Sequence, residues 1–140
     1  MPYCTQADLL NQITQAELAQ LTDDAGTGSV DTAKVDSALA AASATIDAYA
    51  GARYSLPLAT SEKVKQLCVD LAIYELEKRR RRVREATLAA RDAALSFLRD
   101  LARGHAVLDQ PTGAPAQQTE ADVKKTQQPR VFSDEDLEGF

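Results

Sequence analysis

Residues 60–84, TSEKVKQLCVDLAIYELEKRRRRVR, constrain the fold more than any other stretch of the chain. Val64, Leu67, Cys68 and Leu71 recur at helical spacing, and Tyr74 continues their stripe. Val69, Ile73 and Leu76 make a second apolar stripe, with Ala72 between the two. An apolar surface that wide suits a helix with neighbours on several sides better than one lying on a surface. Thr60 or Ser61 is placed to cap its start, and Glu62 complements the positive end of the helix dipole. A helix covering the whole stretch would span roughly 40 Å. Past Glu77 the character changes to Lys78, Arg79, Arg80, Arg81, Arg82 and Arg84, so one end of this helix is core and the other is charge.

A helix buried on several sides needs partners, and the chain supplies them. Thr5, with Asp8 three residues on, opens a short helix carrying Leu9, Leu10 and Ile13. Thr14 to Glu17 has the spacing of a capping box before Leu18 and Leu21. DDAGTGS at 23–29 is a loop by its two glycines; its acidic spacing does not fit a calcium loop, and Lys34 stands where the closing Glu would be. Asp31 caps a third helix with Val30 and Val35 as a staple, and Val35, Leu39, Ala42, Ile46 and Tyr49 or Ala50 follow on one face. Its Ala-rich middle keeps it thin. Gly51 ends it, and Ser55 to Leu58 reads as an extended connection, because Pro57 disfavours helix at Leu56.

Residues 85–103 read as a further helix with Leu88, Leu95, Leu98, Leu101 and Ala102 inward, ended by Gly104. No Gly or Pro decides whether it continues the arginine-rich helix or breaks from it near Val83. His105 to Leu108 reads as a short strand or a final turn. A 140-residue chain supports one modest core, and an apolar fraction carried by Ala and Leu without Trp favours close-packed helices. The expected fold is therefore all-α, a helical bundle of four to five helices with an extended C-terminal arm. Residues 1–108 form the helical domain. Residues 109–129, rich in Pro, Gln, Thr and Ala, read as a flexible linker, and 130–140 as a docking peptide.

That peptide carries apolar anchors beyond a polar connector: Arg130, Val131 and Phe132, then Leu137 and Phe140 around the acidic Asp134 to Glu138. It is expected to reach a partner or a neighbouring subunit, the bland alternative being that it folds back or frays. The run Lys78, Arg79, Arg80, Arg81, Arg82 and Arg84 suits inter-subunit contacts, a solvated face or DNA phosphates. Against DNA stand a net charge of -5, the lack of interleaved aromatics, and Glu75 and Glu77 four residues before Arg79 and Arg81 as in-helix partners.

No nucleophile elbow, Cys–His signature, phosphate-cradling Gly loop or metal-ligand spacing is present, so neither an enzyme nor a cofactor is expected. Cys4 and Cys68 are far apart and read as reduced thiols, with a Cys4–Cys68 disulfide as the alternative, and His105 is the only histidine. The start of the chain shows no signal-peptide pattern, and no apolar run reaches membrane-spanning length.

Several short motifs in order resemble the small neck proteins of Mu-like bacteriophages and prophages, which are related to the head–tail adaptors of tailed phages. They are Tyr3-Cys4-Thr5-x-x-Asp8-Leu9, Val30-Asp31 before the Ala-rich helix, and Ile46-Asp47-x-Tyr49 through Gly51-x-Arg53-Tyr54. Leu56-Pro57-Leu58, the helix with Cys68 to Arg80, and Arg130-Val131-Phe132-Ser133-Asp134 through Gly139-Phe140 complete the set, covering nearly all but the linker. The resemblance implies a non-enzymatic virion component, assembled in the host cytoplasm and located at the virion neck. It implies a homo-oligomeric ring, a dodecamer, beneath the portal protein. Such a ring extends the DNA channel without sequence-specific binding, and it offers a platform to the next neck or tail protein. A neck stopper or tail-completion protein, or a small helical DNA-binding packaging accessory protein using the arginine-rich helix end, are the alternatives.

Overall fold

The structure, a computed structural model, describes residues 2–110. Most of the expected linker and the whole docking peptide, with Arg130, Val131, Phe132, Leu137 and Phe140, lie outside the described residues. Within them the fold is all-α, as expected: α1 (Gln6–Leu10), α2 (Gln15–Thr22), α3 (Thr32–Ala50), α4 (Glu62–Arg79) and α5 (Glu85–Arg103). The expected caps form. Thr5 with Asp8 and Thr14 with Glu17 are reciprocal capping boxes, Asp31 accepts from the Ala33 N–H at 3.1 Å, and Ser61 caps α4.

α4 is the centre of a three-helix core, with α3 and α5 packed against it and against each other, α1 touching α4, and α2 touching both α3 and α4. The contacts Lys63 with Phe97, Tyr74 with Arg91, and Glu77 with Arg84 run in opposite senses along the two chains, so α4 and α5 are antiparallel. Both apolar stripes of α4 are buried, from Val64 to Leu76, with Tyr74 half-buried at the margin. On α3 the small residues Ala38, Ala42, Ser43 and Ala50 are buried, which lets α4 approach closely.

Two expectations are corrected, and at residues 105–108 the final turn is found in place of the strand. α4 does not run from 60 to 84: it has 18 residues, about 27 Å, and ends at Arg79, with Arg80 as its C-cap. Arg81 then takes a left-handed conformation, φ 57°, with its N–H donating to the Lys78 carbonyl at 2.9 Å and the Arg82 N–H to the Glu77 carbonyl at 3.2 Å. That pair of bonds is a Schellman closure, normally built on glycine. Leu88 is exposed, because the inner row of α5 runs through Thr87, Ala94, Leu95, Leu98 and Leu101, and Leu88 lies one position further round. Residues 105–108 form no strand; Leu108 is buried, and its N–H donates to the Tyr54 hydroxyl at 3.0 Å.

The N-terminal segment completes the core near the start of α4. Tyr3 and Cys4 are buried; the Tyr3 N–H donates to Ser43 Oγ at 3.0 Å, and its hydroxyl donates to Asp47 while accepting the Leu58 N–H at 3.1 Å. At the same end, Gln110 Oε1 accepts the Ala59 N–H at 2.7 Å. The chain therefore leaves the described body beside the start of α4, at the opposite end from its arginines.

Candidate functional site

The arginines gather where α4 ends, the α2–α3 loop passes, and α5 begins. Arg79 grips Asp24 with two parallel bonds, 2.7 and 3.0 Å, and also donates to the Leu21 carbonyl. Arg80 donates to the carbonyls of Gln20 and Asp23, both at 2.8 Å. These two guanidiniums occupy the negative end of α2, which has no basic residue in its own last turn. Lys34 of α3 also reaches Asp24, at 2.8 Å, and Arg80 comes within 3.4 Å, so one loop carboxylate joins three elements. Hydrogen bonds from Arg79 and then Lys34 hold the Asp24 carboxyl well below the usual carboxylate range. Asp23 is lowered too, chiefly by the backbone N–H groups of Thr27 and Gly28.

Glu77 is the buried charge of the cluster. Its side chain is 2% exposed, yet it sits in the last turn of α4, where the dipole disfavours a carboxylate. Arg84 offsets both penalties: Nη2 lies at 2.6 Å, Nε at 2.7 Å and the backbone N–H at 2.9 Å. Arg84 is also the N-cap residue of α5 and makes no side-chain cap, so the Glu77 carboxylate stands at the positive end of that helix instead. One ion pair thus closes α4, opens α5 and fixes the turn between them.

The expected in-helix pairs Glu75–Arg79 and Glu77–Arg81 do not form. Glu75 pairs with Lys78 at 3.5 Å, Glu77 points inward, and Arg81 has already left the helix. Arg81 and Arg82 are exposed and have no ion pair among the described residues. Between α2 and the α4–α5 turn lies an open groove of about 460 Å³, walled by Glu17, Gln20 and Leu21 on one side and by Arg80, Arg82 and Arg84 over Glu77 on the other. Lys78, Arg79, Arg80, Arg81, Arg82 and Arg84 are thus brought to one end of the molecule, three of them committed to contacts with α2, its loop or Glu77.

Of the two carboxylates that organise this cluster, Asp24 was not singled out by the residue patterns, and Glu77 was read only as an in-helix partner for Arg81, not as the buried partner of Arg84. Asp24 meets a partner 55 positions away, which spacing cannot reveal. Glu77 did leave a signal, since it falls four residues after Ile73 on an inward stripe. A charged residue at a core position asks for a partner.

Cys4 and Cys68 are both free and buried, the reduced alternative of the two considered. Ser43 Oγ lies 3.7 Å from Cys68 Sγ; the neighbouring Cys4 thiol, with Ser43 and the backbone N–H groups of Cys4 and Tyr3, lowers Cys68, while Cys4 is pushed up. No helix among the described residues is long and apolar enough to cross a membrane.

Comparison with known proteins fits the phage resemblance. A family model described as "Bacteriophage Mu, Gp36" matches residues 3–126, which takes in all five helices and stops short of the terminal peptide. The Mu-like prophage FluMu protein gp36 of Haemophilus influenzae is 39% identical over 106 residues, covering 73% of this chain and 72% of the relative. With the family model spanning most of the chain, this protein belongs to the Bacteriophage Mu Gp36 family.

Proposed function

We propose that the protein is a head–tail adaptor, a non-enzymatic neck component that forms a ring beneath the portal, extends the DNA channel and joins the capsid to the tail. Membership of a Mu phage family supports a structural or assembly role. The observation that carries the reading furthest is how the arginines are used. Arg79, Arg80 and Arg84 brace α2, its loop and the α4–α5 turn, making a firm helical body rather than an open phosphate-binding face. The sequence 130–140 supplies the docking element that such a body needs, with portal, neighbouring copies and the next neck protein as its partners. Thin helices and unlike ends suit head-to-tail contacts that close into a ring.

The test is co-sedimentation with DNA-filled, tail-less heads, comparing the full chain with a version ending at Gln128, alongside free duplex DNA. The adaptor reading expects only the full chain to sediment with heads, and free duplex to be ignored. Binding of free DNA by both versions, weakening steeply with salt, would replace it with the DNA-binding reading.

A further inference from the structure

We propose that in the unassembled subunit, before the segment docks on a partner, the groove between α2 and the α4–α5 turn holds the acidic segment 133–140 of the same chain. The proposal does not depend on the neck assignment. Arg81 and Arg82 carry charge that no described carboxylate meets, and Arg80 spends its hydrogen bonds on carbonyls. The segment SDEDLEGF brings four carboxylates, Asp134, Glu135, Asp136 and Glu138. Guanidiniums bind carboxylates through paired, charge-assisted hydrogen bonds. The groove is not purely polar either. Leu21 lines it from a partly buried position, and Val83 is exposed on the adjoining turn. Leu137 and Phe140 stand beside the acids and match those apolar surfaces.

Reach favours the chain's own segment. The body is left at Gln110, fastened to Ala59 at the far end of α4, about 27 Å from the arginines. The 22 residues 111–132 span up to roughly 70 Å when extended, well over twice that distance. A tethered ligand meets its site at an effective concentration on the order of millimolar, so contacts that are individually weak at an exposed surface suffice together. Duplex DNA fits less well: it offers phosphates but no apolar groups for Leu21 and Val83, and it meets a chain of net charge -5.

The experiment places a nitroxide on a full-length Ser133→Cys chain, Cys4 and Cys68 being buried from the reagent, and reads paramagnetic broadening of backbone amides. Amides of Gln20, Leu21, Arg82 and Arg84 are expected to broaden several-fold more than those in the middle of α3. The effect should persist on dilution and vanish in an Arg81→Glu, Arg82→Glu double variant whose helical circular dichroism is unchanged. Uniform or absent broadening overturns the proposal, as does broadening that survives the charge reversal. Broadening that fades on dilution, or arises only between labelled and unlabelled molecules, overturns it in favour of a segment from a second copy. Displacement of the label by a short duplex at physiological salt overturns it in favour of phosphate.

Discussion

Removing either side of the Glu77–Arg84 pair should cost unequal amounts, because only one partner is buried. In Arg84→Ala the carboxylate, 2% exposed with Arg84 in place, loses its bonds to Nε at 2.7 Å and Nη2 at 2.6 Å and keeps only a backbone N–H as donor. Each charge-assisted bond is worth about 1.5–3 kcal/mol, and a charge left in the interior adds its own penalty. Partial rehydration and the dipole of α5 recover some of this, giving a loss of about 3 kcal/mol. In Glu77→Gln the guanidinium, 55% exposed, returns to water, and shape is kept. The amide accepts through one oxygen only and leaves one donor badly matched, a loss of about 1–1.5 kcal/mol. Urea titrations followed at 222 nm give both values, and Arg84→Ala should lower the melting temperature by roughly 10–20 °C. A loss below about 0.5 kcal/mol for Arg84→Ala is the value expected of an exposed surface pair, and would refute the buried-charge argument. So would a larger loss for Glu77→Gln than for Arg84→Ala.

Arg81→Gly should stabilise the protein by about 0.5–1 kcal/mol, since a left-handed residue at φ 57° is strained for every side chain but costs glycine nothing; an unchanged or lower melting temperature contradicts the closure described. Gly104→Ala should destabilise by about 1–2 kcal/mol, because Gly104 ends α5 at φ 82° and an added methyl would press on the Arg53 guanidinium. The carboxyls of Asp8, Asp23, Asp24 and Asp31 are all lowered in the folded chain, by hydrogen bonds from Thr5, from Thr27, from Arg79 and from Lys34 respectively. The unfolded chain therefore binds more protons as pH falls below about 4, and their stabilisation, present above that pH, should be lost on acidification. Asp70, raised by desolvation, works in the opposite sense. Melts between pH 7 and pH 3 test this, and Arg79→Ala should flatten the slope.

The caps of α1, α2 and α3 were legible because each is a local contact between residues two or three apart. Both inward stripes of α4 were legible for the same reason. The end of α4 was not, since its left-handed closure is built on Arg81 and no local pattern marks an arginine for that conformation. Leu88 misled because periodicity identifies a face but not where the neighbouring helix stops covering it. The arginine run was visible as charge, whereas its division between Asp24, the end of α2 and Glu77 depends on segments that only the fold brings together.

The tie between Gln110 and Ala59 sets how the body would carry a mechanical load. A pull applied through residue 110 against an anchor at the arginines would run lengthwise along α4 and α5. Antiparallel helices loaded that way must slide past each other over many side chains at once, instead of peeling apart one turn at a time. Resistance to such a force depends on the unfolding barrier rather than on equilibrium stability. The Glu77–Arg84 pair sits at the bend where α4 turns into α5, so it would act there as a rivet.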